Sequence, residues 1–388
     1  MSIALRSVDH LVIGGGPAGA MVALRLAAAG RNGVLIERES GPHHKVCGEF
    51  LSPEAIDYLR QAGINPLDLG ATVINKLRLS AGNHHIAAPL PFQALSLSRR
   101  VLDDALLERV EESGCRVLRG TAAESLTPED NQWIASLSSG DSLRASNVFL
   151  ATGKHDLRGL PRSPGKQSDL VGFKMLWHLA AAQLRALRDC MELYLFPAGY
   201  GGLSLIEGDI ANLCLVVRRR KLRSVGGWPQ LLALIQRSNR HLRQILDGAA
   251  PLWPRPLAVS PIPYGYLVRE SAGVWCVGDQ AAVIPSFTGD GISIALHSAA
   301  LAAQMFLAGG KPADYNRTLR AQLTRPMTLA TSLSLAAVTA AGRTAALAAL
   351  SLAPDAMRWV AASTRIPQSS LVSESPLQAA APASPQSA

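Results

Sequence analysis

The chain has 388 residues, 48% of them hydrophobic and 17% charged, with a formal net charge of +9. That length holds two or three domains or one large composite one, and the composition excludes global disorder. The five cysteines are odd in number and form no C-x-x-C pair, which argues against a disulfide framework or structural zinc and fits a reducing cytoplasm.

Val8 to Ile13 reads as a short buried strand. It runs into Gly14-Gly15-Gly16-Pro17-Ala18-Gly19, a small-residue helix over 20–29, a second strand over 33–36, and Glu37. This is a βαβ unit with G-x-G-x-x-G and an acid about 20 positions on, the pattern of a dinucleotide site. Gly14 permits the tight turn, Gly16 lets the backbone approach a pyrophosphate, and Gly19 lets helix and sheet pack closely. The helix N-terminus, with Pro17 and Ala18 in its first turn, offers unpaired N–H groups from Ala18 onward to phosphate. Glu37 can accept from ribose hydroxyls, and the adjoining Arg38 is a further cofactor-site candidate. The bland alternative is a Gly-rich turn in an ordinary α/β domain.

Further on, Ser52 caps a helix over 53–62, with Pro53 at its first position. Residues 76–94 form an extended excursion, and Ser98 to Ser113 a strong helix. A strand follows at 115–118. Residues 133–150 hold two strands about the Ser138-Ser139-Gly140-Asp141 turn, ending in Ala151-Thr152-Gly153. Between 166 and 261 the strands 173–177, 191–196, 202–206 and 212–218 suggest a broad antiparallel sheet, a plausible substrate wall. The Arg218-Arg219-Arg220-Lys221 run reads as a solvated loop or strand end, with a patch for an acidic partner, anionic lipid or a cofactor phosphate as the alternative. A short strand lies within 273–278 and a small-residue helix over 291–307.

Residues 311–366 read as helical. Thr328 to Leu352 is broken at Gly342-Arg343 into two helices, with attachment to a membrane surface as a minor alternative. The tail from 367 reads as disordered. No leader, 20-residue apolar span or nucleic-acid-reading module is legible. His43-His44 and His84-His85 lack matching carboxylates or cysteines and read as loop residues, so no metal is expected.

Two later motifs carry a family resemblance. Gly278-Asp279 follows the strand 274–277. Then come Pro285 and the turn Gly289-Asp290-Gly291-Ile292, which opens the next helix. With the first motif, these resemble flavoproteins of the para-hydroxybenzoate hydroxylase fold, which include class A flavin monooxygenases and the geranylgeranyl reductase group. The resemblance implies non-covalent FAD, with Asp279 on its ribityl chain and the backbone amides of 289–291 at the flavin's pyrimidine edge. Asp290 itself then only holds the turn or caps the helix. Arg99, in Arg99-Arg100-Val101-Leu102-Asp103, matches an arginine that contacts the FAD diphosphate or ribityl region; the alternative is a surface arginine.

Cys47-Gly48-Glu49-Phe50-Leu51-Ser52-Pro53 resembles a reductase segment that passes beside the flavin, its cysteine implicated in catalysis. A buried structural cysteine is the equal alternative. Lys45 reads as a solvated loop lysine. The strand with Tyr194, Phe196 and Tyr200 resembles the roof of the substrate cavity.

The A-T-G strand end lacks the D-G pair of aromatic hydroxylases. Direct NADPH use is therefore in doubt, and a separate reductase or free reduced flavin is the rival to NAD(P)H as electron donor. No W-x-W-x-I-P signature of flavin halogenases is present.

The fold expected is α/β. A Rossmann-like FAD-binding domain (1–75, 95–165 and 262–310) is interrupted by an antiparallel substrate domain (76–94 and 166–261), and followed by C-terminal helices (311–366) and a tail (367–388). The function expected is an FAD-dependent oxidoreductase, foremost a monooxygenase acting on an apolar aromatic, polyketide-like or lipid-like molecule. A geranylgeranyl-reductase-like alkene reductase is the rival, and a non-catalytic flavin or ligand-binding protein the third reading.

Overall fold

A computed structural model describes residues 6–31, 33–353 and 355–372. The first unit is β1 (Arg6–Ile13), α1 (Pro17–Ala28) and β2 (Val34–Glu37). Leu11 to Ile13 and all of β2 are buried, as parallel strands covered on both faces must be. The chain continues through β3 (Phe50–Leu51), α2 (Pro53–Gln61), the hairpin β4 (Thr72–Ala81) and β5 (His84–Ser96), and α3 (Arg99–Glu112). Ser52 and Ser98 accept the backbone N–H groups of Ala55 and Val101, capping α2 and α3. Strands β6 (Arg116–Arg119), β7 (Ala123–Glu129), β8 (Gln132–Leu137) and β9 (Ser142–Leu150) follow.

Next come β10 (Leu170–His178), α4 (Ala181–Leu187), β11 (Cys190–Phe196), β12 (Gly199–Leu205), β13 (Ala211–Arg218), α5 (Arg219–Val225), α6 (Trp228–Ser238) and α7 (Arg240–Ile245). Short strands β14 (Ala250–Pro251), β15 (Leu257–Val259), β16 (Tyr266–Leu267), β17 (Trp275–Cys276) and β18 (Ala282–Val283) lead to α8 (Gly291–Leu307), α9 (Pro312–Ala337), α10 (Ala340–Leu352) and α11 (Ala356–Ser363).

Two large sheets result. In the first, β6, β2, β1, β9 and β17 run parallel, and β8 and β7 extend it antiparallel. Helices α1 and α8 pack together over it. In the second, the order is β14-β10-β13-β12-β11-β4-β5-β3, with β15 on β10; only β11 and β4 pair in parallel. The second sheet packs one face on α6 and α7 through Leu231, Ile235, Leu242 and Ile245. Its other face looks toward the first sheet, and the cavity lies between.

Several expectations change. The excursion at 76–94 is the β4–β5 hairpin, part of the second sheet. Strand β7 and helices α4 to α7 were not read from sequence. The basic run leaves β13 and forms α5 rather than a loop. The helical break falls at Thr339, whose hydroxyl accepts the Gly342 N–H to cap α10, and α9 and α10 meet at 111°. The tail is ordered at its start: Val372 is buried, and its N–H donates to the Tyr58 hydroxyl at 3.0 Å. The expected disorder over 373–388 lies outside the described residues. No single helix among the described residues is long and apolar enough to cross a membrane.

Candidate active site

The floor of the site is backbone. Gly14 has φ +110°, and a Cβ there would stand 2.4 Å from the Ala151 carbonyl oxygen. On Gly19 it would stand 1.9 Å from the Gly14 oxygen. These glycines are required by packing alone. A Cβ on Gly278 would lie 3.0 Å from the Ala18 Cβ, so the late G-D turn sits against the first Gly-rich turn. The two distant stretches do converge, and a cavity of about 360 Å³ opens where they meet.

Whether FAD fits is decided by the other glycines. Added Cβ atoms on Gly48, Gly153 and Gly291 would meet no atom within 4 Å, and on Gly16 only the Arg99 guanidinium at 3.1 Å. All four line the cavity with bare backbone. Gly16 is also the N-cap of α1 and supplies no side-chain cap, so the first N–H groups of that helix are left for an anion. The cradle suits a diphosphate and a flat ring.

Charged groups frame it. Lys154 Nζ pairs with Asp279 Oδ2 at 3.0 Å, and Arg162 donates to the Asp279 carbonyl at 2.6 Å. Burial opposes the Asp279 carboxylate, but Lys154, Arg162 and Arg99 outweigh it and hold its pKa below the ordinary value. Arg99 grips Asp103 with two bonds, 2.6 and 2.8 Å, and Lys45 joins the same carboxylate at 2.9 Å. Burial again opposes ionisation of Asp103, and the two cations overcome it. Arg99 is thus a fixed cation facing Gly16, not a surface arginine, and Lys45 is a paired residue, not a solvated one.

Glu37 Oε2 accepts the Gly15 N–H at 2.8 Å and its Oε1 the Glu39 N–H at 3.0 Å, which ties the first turn to the end of β2. Glu37 borders a shallow crevice with Pro42, His43 and Arg100. Arg38 points outward and pairs with Glu39 at 3.0 Å.

Cys47 and Gly48 lie on the cavity wall. The Glu49 N–H donates to Cys47 Sγ at 3.3 Å, and Asn212 Nδ2 donates to the Cys47 carbonyl at 3.2 Å. Glu49 has φ +61° and is fully buried in an ion pair with Lys174 of β10, and its carboxylate also accepts the Arg99 N–H at 2.9 Å. Burial drives the Glu49 pKa up against the pull of Lys174. This pair anchors the cysteine loop to the second sheet. Among the other cysteines burial raises the thiol pKa: Cys190, Cys214 and Cys276 to about 12, and Cys115 in the same direction. They are neutral thiols, of which Cys214 lines the cavity.

Asp290 stands at the N-cap of α8, yet its side chain makes no capping bond. Instead Oδ1 accepts from Arg365 Nη1 at 2.6 Å, and Oδ2 is buried without a partner. Burial raises this carboxyl to about 7; Arg365 opposes the shift and Glu54 adds to it. Arg365 lies 4.2 Å over the Phe92 ring and 3.6 Å from Glu54. It closes the end of the cavity from the segment after α11.

Of the remaining candidates, Pro17, Ala18, Ala151, Gly278, Asp279, Gly289, Ile292 and Tyr200 line the cavity. Thr152 turns aside and donates to the His155 carbonyl at 2.6 Å. Pro285 is buried and shapes its loop by accepting from Thr288. Tyr194 and Phe196 need correction. Side chains alternate along β11, so these two face α6 and α7, while Leu193 and Leu195 face the cavity. The Tyr200 hydroxyl bonds Ser334 of α9 at 3.1 Å, and Ser334 donates to Gln167 at 2.7 Å.

Sequence reasoning missed Lys154, Lys174, Glu49, Tyr264 and Arg365. A lysine in the middle of the apolar strand β10 was the one legible signal among them. No His, Cys, Asp and Glu grouping suited to a metal occurs among the described residues.

The fold and this cradle define an FAD-dependent oxidoreductase of the para-hydroxybenzoate hydroxylase fold. Residues 7–148 match the family described as an FAD binding domain. It is 26% identical over 328 residues to a menaquinone reductase of Mycobacterium tuberculosis, covering 77% of this chain and 76% of that one. It is 26% identical to digeranylgeranylglycerophospholipid reductase 2 of Methanosphaera stadtmanae, with 80% of each chain covered. In fold it is similar to a geranylgeranyl bacteriochlorophyll reductase-like protein of Thermoplasma acidophilum (TM-score 0.70, 18% identity, 88% of this chain and 90% of that one).

Proposed function

We propose that this enzyme reduces a carbon–carbon double bond in a lipid-like molecule with a flat head and a long apolar tail. The observation that carries the reading is the character of the cavity. Beside the Gly-rich wall that bears Asp279, and beside Cys47, its lining is mainly aliphatic, with Leu77, Leu79, Leu193 and Leu350 among the side chains that face it and Arg365 as a charged exception. Such a lining binds hydrocarbon and excludes water. The relatives that share about three quarters of their length with this chain are named as reductases of a quinone lipid and of a geranylgeranyl lipid.

FAD, when bound, supplies the two-electron chemistry. The chain's own residues do the rest. The α1 N-terminus and Arg99 would hold the phosphates, Asp279 would orient the ribityl hydroxyls, and the amides of the 289–291 turn would donate to the flavin ring. Cys47 gives a proton to the substrate carbon. The neighbouring hydroxyls of Tyr200 and Tyr264 have pKa values driven up by burial, which makes them poor donors at neutral pH.

A second reading, oxygenation of the same head group, is favoured if Cys47 only shapes its loop, because burial raises the pKa values of Tyr200, Tyr264 and Cys214 on the same wall and so weakens them as proton donors.

The test begins with purification. The expected product is a yellow protein that releases FAD on denaturation, identified by mass spectrometry. Turnover of a menaquinone or a geranylgeranyl lipid is then followed with dithionite, NADH or NADPH as reductant. Reduction proceeds without oxygen, adds two hydrogens, and is slowed by Cys47→Ala with flavin content unchanged. A product that needs oxygen and is heavier by one oxygen atom overturns the reductase reading in favour of the second.

A further inference from the structure

Large apolar side chains are exposed at five places among the described residues, and three of them fall between 335 and 359: Leu335 at 39%, Leu352 at 88% and Trp359 at 61%. They belong to the end of α9, to α10 and to α11. The open face of α10 adds Ala341, Ala345, Ala348 and Ala349 to them. Arg343 is the one charged residue of that helix. Isolated exposed hydrophobes are ordinary; a cluster beside an uncharged helix face marks an interaction surface.

The same helices wall the cavity from inside. Leu333, Ala337, Ala346, Leu350, Met357 and Val360 line it. The same three helices thus carry apolar side chains both on the outside of this corner and on the cavity wall. Charge selects the partner. Residues 312–363 hold five arginines, at 317, 320, 325, 343 and 358, against two aspartates, 314 and 355. Three of these arginines lie on α9, well before Leu335; at the corner itself Arg343 and Arg358 stand against Asp355, a mildly basic setting beside the exposed Leu352 and Trp359 that fits the surface of a bilayer containing anionic lipid.

We propose that the α10–α11 corner docks on a phospholipid bilayer, with Leu352 and Trp359 inserted at the headgroup level, and that the substrate's tail enters the cavity from there. The purpose of the docking rests on the lipid-like substrate reading; the docking itself does not. No single helix among the described residues is long and apolar enough to cross the membrane. The helices lie on it.

The experiment floats the full-length, FAD-loaded protein on vesicles of phosphatidylcholine, with and without phosphatidylglycerol. The wild-type chain is expected to rise with the vesicles, more completely when phosphatidylglycerol is present and less at high salt. A Leu352→Asp, Trp359→Asp double variant is expected to lose roughly a hundredfold in partitioning. Neither residue lines the cavity, so the variant should keep its flavin spectrum and its turnover of detergent-dispersed substrate.

The proposal is overturned if the wild-type chain stays with the soluble fraction, or if the variant floats equally well. It is also overturned if sedimentation shows the two substitutions breaking a dimer while no flotation occurs, since the face is then a contact between copies. Flotation with no turnover of any lipid would instead leave docking standing and remove the assigned function.

Discussion

The two ends of the cavity are held by different means. At the cofactor end the contacts come from bare backbone and paired charges: Gly16, Gly48 and Gly153, the Lys154–Asp279 pair, and Arg99 on Asp103. At the far end they come from aliphatic side chains on β4, β11 and the C-terminal helices. The first end presents fixed dipoles and charges and so demands one ligand geometry. The second, Arg365 and Thr364 apart, presents shape and apolarity, and so tolerates a wider range of ligands of similar width. A flavoprotein class that keeps its cofactor and varies its substrate divides in this way.

The contrast is broken most severely at the packing glycines. Gly19→Ala places a Cβ 1.9 Å from the Gly14 carbonyl oxygen, and helix and strand cannot both stay in place. The expected outcome is a chain that is colourless and destabilised by about 4 kcal/mol or more, read by flavin absorbance and thermal unfolding. Gly48→Ala is the control. Its Cβ enters open space on the cavity wall, so the fold should survive while FAD affinity falls. Equal damage from both substitutions would show that the two sets of glycines do not differ in role.

The Lys174–Glu49 pair comes next. Lys174→Met leaves a buried carboxylate without its cation, and a loss of about 3–5 kcal/mol is expected. Adding Glu49→Gln removes the charge but keeps an acceptor for the Arg99 N–H, and should recover at least half of that loss. If the double variant is no better than the single, the pair is not what anchors the Cys47 loop. Chemical denaturation of the three proteins decides it.

How far these features were legible follows from which forces are local. The βαβ unit announces itself because a tight turn, a close approach and a helix start each demand glycine at fixed spacing. The convergence of positions 14–37 with 278–291 was legible only through the family resemblance that the late Gly278-Asp279 and Gly289-Asp290-Gly291 motifs carry. The faces of β11 were not: apart from Glu192, which is buried against Arg78 and His241, its residues are apolar on both sides, because one side meets α6 and α7 and the other the cavity, and Tyr194 and Phe196 were assigned to the wrong face. The pairings of Asp279 with Lys154 and of Asp290 with Arg365 span 125 and 75 residues, and nothing near either aspartate in sequence discloses them. The break at Thr339 was displaced to Gly342 because glycine is the more obvious breaker, whereas the cap that starts α10 is a threonine hydroxyl.

A smaller effect sharpens the cofactor end. Asp279→Ala deletes a carboxylate that lines the cavity and leaves Lys154 without its partner. One charge-assisted hydrogen bond to a ribityl hydroxyl is worth about 1.5–3 kcal/mol, so FAD should bind roughly ten- to a hundredfold more weakly. Fluorescence titration of the apoprotein reads this directly. Unchanged affinity would remove Asp279 from the cofactor site.

The smallest effect separates the two buried aspartates, which burial treats alike and their neighbours treat differently. Asp279 has Lys154, Arg162 and Arg99 about it, and its pKa is depressed. Asp290 is faced by one cation, Arg365, and by a second acid, Glu54, and burial lifts its pKa from 3.8 to about 7. A carboxyl whose folded pKa lies above its unfolded one binds its proton more tightly in the native state. Its stabilising contribution is complete below pH 3.8 and declines as pH rises toward 7, because over that window unfolding releases a proton. The slope is at most about 1.4 kcal/mol per pH unit. Asp290→Asn abolishes this titration and keeps an oxygen for Arg365 to donate to. The variant should therefore show a flatter melting temperature across pH 4 to 7 than the wild type, with its FAD content unchanged. A wild-type profile already flat over that range would mean that Arg365 holds Asp290 ionised throughout. The two aspartates would then differ in their partners alone, not in their charge.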